Sequence, residues 1–453
     1  MVINDIKRRQ TMKKFFVYMA SAAFMFAACN QAEIEAPVEN DNTNIEDVMP
    51  VETETITVDL NPMTKTSLDG MNTVWSNGDV VSVTVDGKNI GTLKLVEGST
   101  FSGEVEAGHN GEATLNYPAD VTSVPTTQTA VENSFANGAA LLEGTTTMDA
   151  LRNGEGATLQ NTTALLSFSS PIAGNVAFTI GNATYTVANC EASKTYYVCV
   201  DPANSGKLSY TAGLALGAKE KASFAPEANK VYSLGALTFK ESTYGVIGDN
   251  NGWAGDAVMY ETSQDNFFVA YGVQFASDGG FKVRGGATWA NDGANYGTTA
   301  TATKAANSIV GVYTDGGSGD IKVKAGTYDI YFDRLKGQVY LMTAGKPHTE
   351  ATAVTAHNDK YGVIGNFGSS NWSTDTVMNY SGDGIWTIVQ DFSANNEWKV
   401  RKNLGWNGDW GYSNLYPGSD LATNSGGNIK MKNAGTYVVG FVLSKNKITL
   451  VKK

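Results

Sequence analysis

The stretch Tyr244-Gly245-Val246-Ile247-Gly248 returns 117 residues later as Tyr361-Gly362-Val363-Ile364-Gly365. Five further matches follow in the same order. Val258-Met259 answers to Val377-Met378, Phe281-Lys282-Val283-Arg284 to Trp398-Lys399-Val400-Arg401, and Trp289 to Trp406. Asp292 answers to Asp409, and Ala325-Gly326-Thr327-Tyr328 to Ala434-Gly435-Thr436-Tyr437. Ordered matches whose length differences fall in loops mean an internal duplication. The matched segments are short, rich in β-branched and aromatic residues, and bounded by Gly, Asn and Asp, which is the pattern of strands. Each copy, residues 241–345 and 357–453, has the length of one β-sandwich of about 100 residues. A polar linker with Pro347 separates them.

Residues 56–238 carry the same pattern. Thr55–Leu60, Val80–Val85, Thr92–Val96, Ala164–Ser169 and Val176–Ile180 read as strands, separated by turn signals such as Asp86-Gly87 and Asn110-Gly111. Long stretches with apolar residues at helical spacing are absent after the N-terminus. The expected fold is all-β: tandem β-sandwich (immunoglobulin-like) domains, with one or two sandwiches in residues 56–238. Trp75 reads as a core residue of the first hairpin or as a ligand platform. Cys190 and Cys199 read either as a disulfide, which export would permit, or as two buried thiols.

Seven of the eight Trp residues lie after residue 240. A small sandwich needs only one or two for its core. Strand alternation puts Lys282 and Arg284 on one face and Phe281 and Val283 on the other, and does the same for Lys399 and Arg401. Trp289 follows the first strand in a loop with Asn291 and Asp292. Trp406 follows the second, with Asn407, Asp409, Trp410 and Tyr412. An aromatic face beside cationic donors on a solvent-facing strand suits a sugar ring, whose faces are apolar and whose rim is hydroxyl. The expected ligand-binding set is therefore Lys282, Arg284, Trp289, Lys399, Arg401, Trp406, Trp410 and Tyr412. The bland alternative is a solvated sheet face with Trp capping the sandwich edge. Trp253 and Trp372 read as a second wall of the site or as loop plugs, and Trp386 and Trp398 as core.

Taken together, these motifs resemble the C-terminal modules of the SusE/SusF outer-membrane starch-binding lipoproteins. That resemblance implies a protein that holds polysaccharide or oligosaccharide at the cell surface beside an outer-membrane glycan importer complex. It also implies binding roles for the strand Lys and Arg and for the loop Trp. Residues 56–238 do not resemble the matching region of those proteins, so the sugar need not be starch. They resemble instead the fimbrillin-like lipoprotein domains of Bacteroidetes. The residues that carry this are Lys65-Thr66-Ser67-Leu68, Val74-Trp75-Ser76-Asn77-Gly78-Asp79, Tyr196-Tyr197-Val198 and Asn229 to Gly235. This second likeness implies an extracellular building block, and it keeps a fimbria-like adhesin or structural role open.

The N-terminus reads as an address. A start at Met12 gives Lys13 and Lys14, then an apolar run from Phe15 to Ala28 that is too short to span a bilayer, then Cys29. Residues 1–28 fit a lipoprotein signal, with Cys29 as the acylated residue. Plain secretion, with Cys29 lost or free, is the alternative. Residues 29–55 are acidic, with Pro37 and Pro50, and read as a flexible tether. The expected location is the outer membrane, reached through the lipid anchor only.

The net charge of −12 and the absence of a basic stripe argue against a nucleic-acid partner and leave a neutral partner unopposed. No metal site is expected, because none of the three His sits near a Cys or second His at ligand spacing. No cofactor is expected. Neither a nucleophile triad nor a phosphate-cradling Gly loop nor a metal-binding helix is written in the chain. No carboxylate stands in an apolar setting that would make it a general acid. The chain therefore reads as a binder rather than an enzyme, with no catalytic residues.

Overall fold

The computed structural model describes residues 51–62, 75–289, 295–314, 317–416 and 420–453. Cys29, the signal segment, the tether up to residue 50 and Lys65–Leu68 lie outside them. Among the described residues the protein is all-β apart from one short α-helix, Met148–Arg152, and three single 3-10 turns. No helix among them is long and apolar enough to cross a membrane.

Seven of the first eight strands close into a barrel where alternation alone suggests a sandwich; the remaining one, Thr127–Thr129, joins the sheet that follows. Thr53–Pro62 pairs antiparallel with Thr100–Glu106, the sheet runs on through to Ala157–Asn161, and that last strand returns parallel to the first at Leu60–Ala157. Closure removes both edges. Ile56, Val58 and Leu60 alternate into the core with Val81, Val83, Phe101 and Leu115. The first strand begins at Thr53, inside the stretch that composition reads as tether. Glu54 is held there by Arg152 through two bonds of 2.8 Å. Trp75 is partly buried against the barrel core: it packs edge-on against Phe101 and Tyr117 at 4.9 and 5.2 Å, and its indole N–H donates to Leu60 O. The Asp86-Gly87 turn has both residues at positive φ (50° and 74°), as a two-residue hairpin with matching twist requires.

A sandwich follows. A six-stranded sheet centred on Gly174–Ile180 faces a three-stranded sheet of Thr195–Val200, Ala164–Ser169 and Val231–Ala236. Phe168 from one sheet meets Phe178 from the other at 4.7 Å. Cys190 lies in the larger sheet and Cys199 in the smaller, so no hairpin register brings them together; both are buried free thiols. Burial pushes the Cys190 thiol up to about 11 and raises that of Cys199 as well.

The first copy of the duplication is one continuous sheet that folds over itself. Val246, Phe281 and Val283 share a core with Ile330, Phe332 and Leu341 from its other end. The second copy is a six-stranded sheet against a four-stranded one. Its core joins Tyr361, Val363 and Trp398 to Trp386, Tyr437 and Phe441, with Trp386 and Trp398 buried as their alternation predicts. The glycines closing the repeated motif permit close strand approach. A Cβ at Gly365 would stand 2.2 Å from Glu397 O, and one at Gly248 2.3 Å from Gly280 O. Gly365→Ala is expected to destabilise the fold by about 1–3 kcal/mol in urea unfolding, because neither backbone can yield without breaking the ladder. An unchanged midpoint would refute that packing.

The two copies meet at a polar joint. Asp383 accepts from Lys304 and from the Gly311 N–H at 3.0 Å, while its carbonyl accepts from Thr299 Oγ1 at 2.6 Å. Ser381 and Thr387 hydroxyls donate to Lys336 O at 2.6 and 2.9 Å, and Arg334 Nη2 donates to Lys452 O at 2.5 Å. The sandwich meets the first copy where Leu214 N donates to Tyr271 Oη at 2.7 Å and Phe239 packs edge-on against Tyr260.

Candidate binding faces

In both copies the Lys-Val-Arg strand pairs with the Tyr-Gly-Val-Ile-Gly strand in one register. Gly245 lies opposite Arg284, and Gly362 opposite Arg401. The missing side chains leave room for a carboxylate. A Cβ on Gly245 would stand 2.6 Å from Asp256 Cβ, and one on Gly362 2.8 Å from Asp375 Cβ. Each Asp therefore reaches the Arg. Arg284 Nε donates to the two Asp256 oxygens at 2.9 and 3.1 Å, and Arg401 Nε to those of Asp375 at 2.8 and 3.0 Å.

Above each guanidinium lies the loop Trp. Arg284 Cζ is 4.5 Å from the Trp289 ring centre, and Arg401 Cζ is 4.6 Å from that of Trp406. This is cation–π distance. Trp289 is 47% exposed and Trp406 55%, so each indole rests on its Arg while about half of the residue stays open to water. Trp253 and Trp372 stand beside them, with ring centres at 6.1 and 6.3 Å and planes 34° and 26° apart. Both have φ of 60°, the left-handed region that bulky residues rarely enter. The turn holds them there: Trp253 N donates to Gly248 O and Trp372 N to Gly365 O. The pair of rings is thus built the same way twice.

The strand face carrying the cations is covered, which corrects the expectation that it faces solvent. Lys282, Arg284 and Arg401 are each under a tenth exposed. Alternation assigns residues to a face but does not say what lies over it. Here the loops carrying Asp256, Asp375 and Ser318 do. Lys282 Nζ donates to Ser318 O at 2.5 Å, and the more open Lys399 pairs with Asp409 at 2.5 Å. All four cations therefore have acceptors within the protein. Asn291 and Asp292 lie outside the described residues.

Trp410 and Tyr412 stand apart from the exposed pair. Asp409–Trp410 pairs with the Lys-Val-Arg strand, and this turns Trp410 onto Phe441 at 4.6 Å and Tyr361 at 5.7 Å. Tyr412 opens the 3-10 turn Tyr412–Asn414 and packs on the same core. Sequence reasoning missed Asp256 and Asp375, although each stands two residues before Val-Met in its copy. Among the described residues no three His, Cys, Asp or Glu side chains converge as metal ligands would.

No family model matches the chain, and no curated protein matches it. Solved structures similar to it include SusF from Bacteroides thetaiotaomicron, at 12% identity over 89% of this chain and 76% of that one, with a TM-score of 0.19. A fimbrial protein from Bacteroides ovatus is 12% identical over 49% of this chain and 68% of that one, with a TM-score of 0.23. Superpositions this loose add nothing to the fold and faces described above.

Proposed function

We propose that this chain is a lipid-anchored protein of the outer-membrane surface that holds a neutral polysaccharide or oligosaccharide against the open faces of Trp289 and Trp406, in support of an outer-membrane glycan importer. The observation that carries this reading is an exposed indole stacked on an internally neutralised Arg, built twice with the same geometry. A half-exposed Trp supported from beneath by a buried ion pair is a prepared apolar surface. The C–H face of a sugar ring matches it. Because Asp256 and Asp375 already neutralise the guanidinium groups, neither Arg is a free cation for an acidic sugar. The neighbouring Trp extends the surface beyond one ring.

A second reading, a fimbria-like adhesin or structural surface component, draws on the firm contacts that join successive modules. Affinity electrophoresis of the full chain in gels containing soluble starch, galactomannan or xyloglucan separates the two. Retardation in at least one gel is expected, and the gel that retards identifies the glycan class. Free migration in all of them, with the protein folded, would leave the adhesin reading.

A further inference from the structure

The two faces differ at one position below the rings. The first copy has Asp249 immediately after Tyr-Gly-Val-Ile-Gly, and the second has Asn366. Both side chains accept the N–H of the neighbouring strand: Asp249 Oδ2 from Gly280 at 2.7 Å, and Asn366 Oδ1 from Glu397 at 2.6 Å. What remains differs in chemistry. Asp249 keeps a second carboxylate oxygen, and it accepts the Trp253 indole N–H at 2.8 Å. Asn366 keeps an amide NH2, which is a donor and cannot accept an N–H. The Trp372 indole N–H has no hydrogen-bond partner among the described residues.

We infer that Asp249 and Asn366 set the two sites apart: the second site offers the Trp372 N–H to an oxygen of the bound sugar, while the first keeps the Trp253 N–H for itself. This rests on the glycan-binding reading. The ligand feature recognised is an acceptor, a hydroxyl, ring or glycosidic oxygen at the edge of a ring lying on Trp406. Isolated swaps at this position should then move affinity in opposite directions. Asn366→Asp supplies the missing acceptor and removes the donor from the ligand. Asp249→Asn keeps the bond from Gly280, as Asn366 keeps that from Glu397, and releases the Trp253 N–H.

The test uses the full chain with one site silenced, in gels of soluble starch and of galactomannan. In a Trp289→Ala background, Asn366→Asp should weaken retention about three- to tenfold, the effect of one hydrogen bond. In a Trp406→Ala background, Asp249→Asn should strengthen it by a similar factor. Indole N–H exchange of the unliganded chain gives a second readout. The Trp253 N–H should be protected and that of Trp372 should not, until Asn366→Asp protects it. If the single Trp variants lower retention but neither swap changes it, or if both indoles exchange alike, this inference is overturned and glycan binding stands. If neither Trp variant affects retention, the glycan-binding reading fails and takes the inference with it.

Discussion

On the proposed reading, Trp406→Ala is expected to weaken retention of the chain on a binding polysaccharide by about 30-fold, and Trp289→Ala by less. Loss of a central, rigidly supported Trp from a binding face typically removes about 2 kcal/mol or more, and 1.4 kcal/mol is tenfold in affinity. The order follows from the two surroundings. Trp406 is the more exposed ring, and two residues before it the exposed Leu404 adds apolar surface where the first copy has Ala287. Affinity electrophoresis of the single and double variants checks this. Negligible losses in both, with unfolding midpoints unchanged, would remove the site assignment and return these rings to a structural role.

Asp375→Ala is expected to lower the stability of the second copy by about 3–5 kcal/mol, because it strands the buried Arg401 charge without its partner. The Asp375 side chain is 3% exposed and that of Arg401 7%. A guanidinium is not deprotonated in proteins, so Arg401 stays charged after the loss. Asp256→Ala should cost less, since Asp256 is 14% exposed and water can reach the orphaned guanidinium. Urea unfolding monitored by Trp fluorescence measures both. The double change Asp375→Leu with Arg401→Met should recover most of the stability, since an apolar pair can replace a buried ion pair. It should not recover retention, because Trp406 then loses its cationic base. A stability loss under 1 kcal/mol for Asp375→Ala would refute the buried pair.

Period-2 alternation and the duplication made the strands, the core Trp386 and Trp398 and the exposed Trp289 and Trp406 readable from the chain, because each is a local pattern. Features that depend on distant segments were not readable. The barrel closes through a parallel contact between Leu60 and Ala157, which no short-range signal announces. Whether a strand face meets water depends on the loops laid across it, so Lys282 and Arg284 were assigned to the right side of the sheet with the wrong surroundings. Trp410 sits close to Trp406 in the chain, yet pairing with Val400 turns it inward. Asp256 and Asp375 become meaningful only once Gly245 and Gly362 are known to face the two Arg residues across the sheet.

The polar joint around Asp383 has a consequence for long ligands. Two modules on a slack linker would sample many separations, and most of them would miss a second grip on the same polymer. Here Lys304, Gly311 and Thr299 all converge on Asp383, and Arg334 ties the first copy to the final strand of the second. On the proposed glycan-binding reading, a polymer seated on one face would meet the other at one preset reach. Its effective concentration there would be high for chains whose helical repeat fits that reach, and close to zero for those whose repeat does not. The joint would then act as a calliper, selecting polymers by shape even where the two faces accept the same sugar.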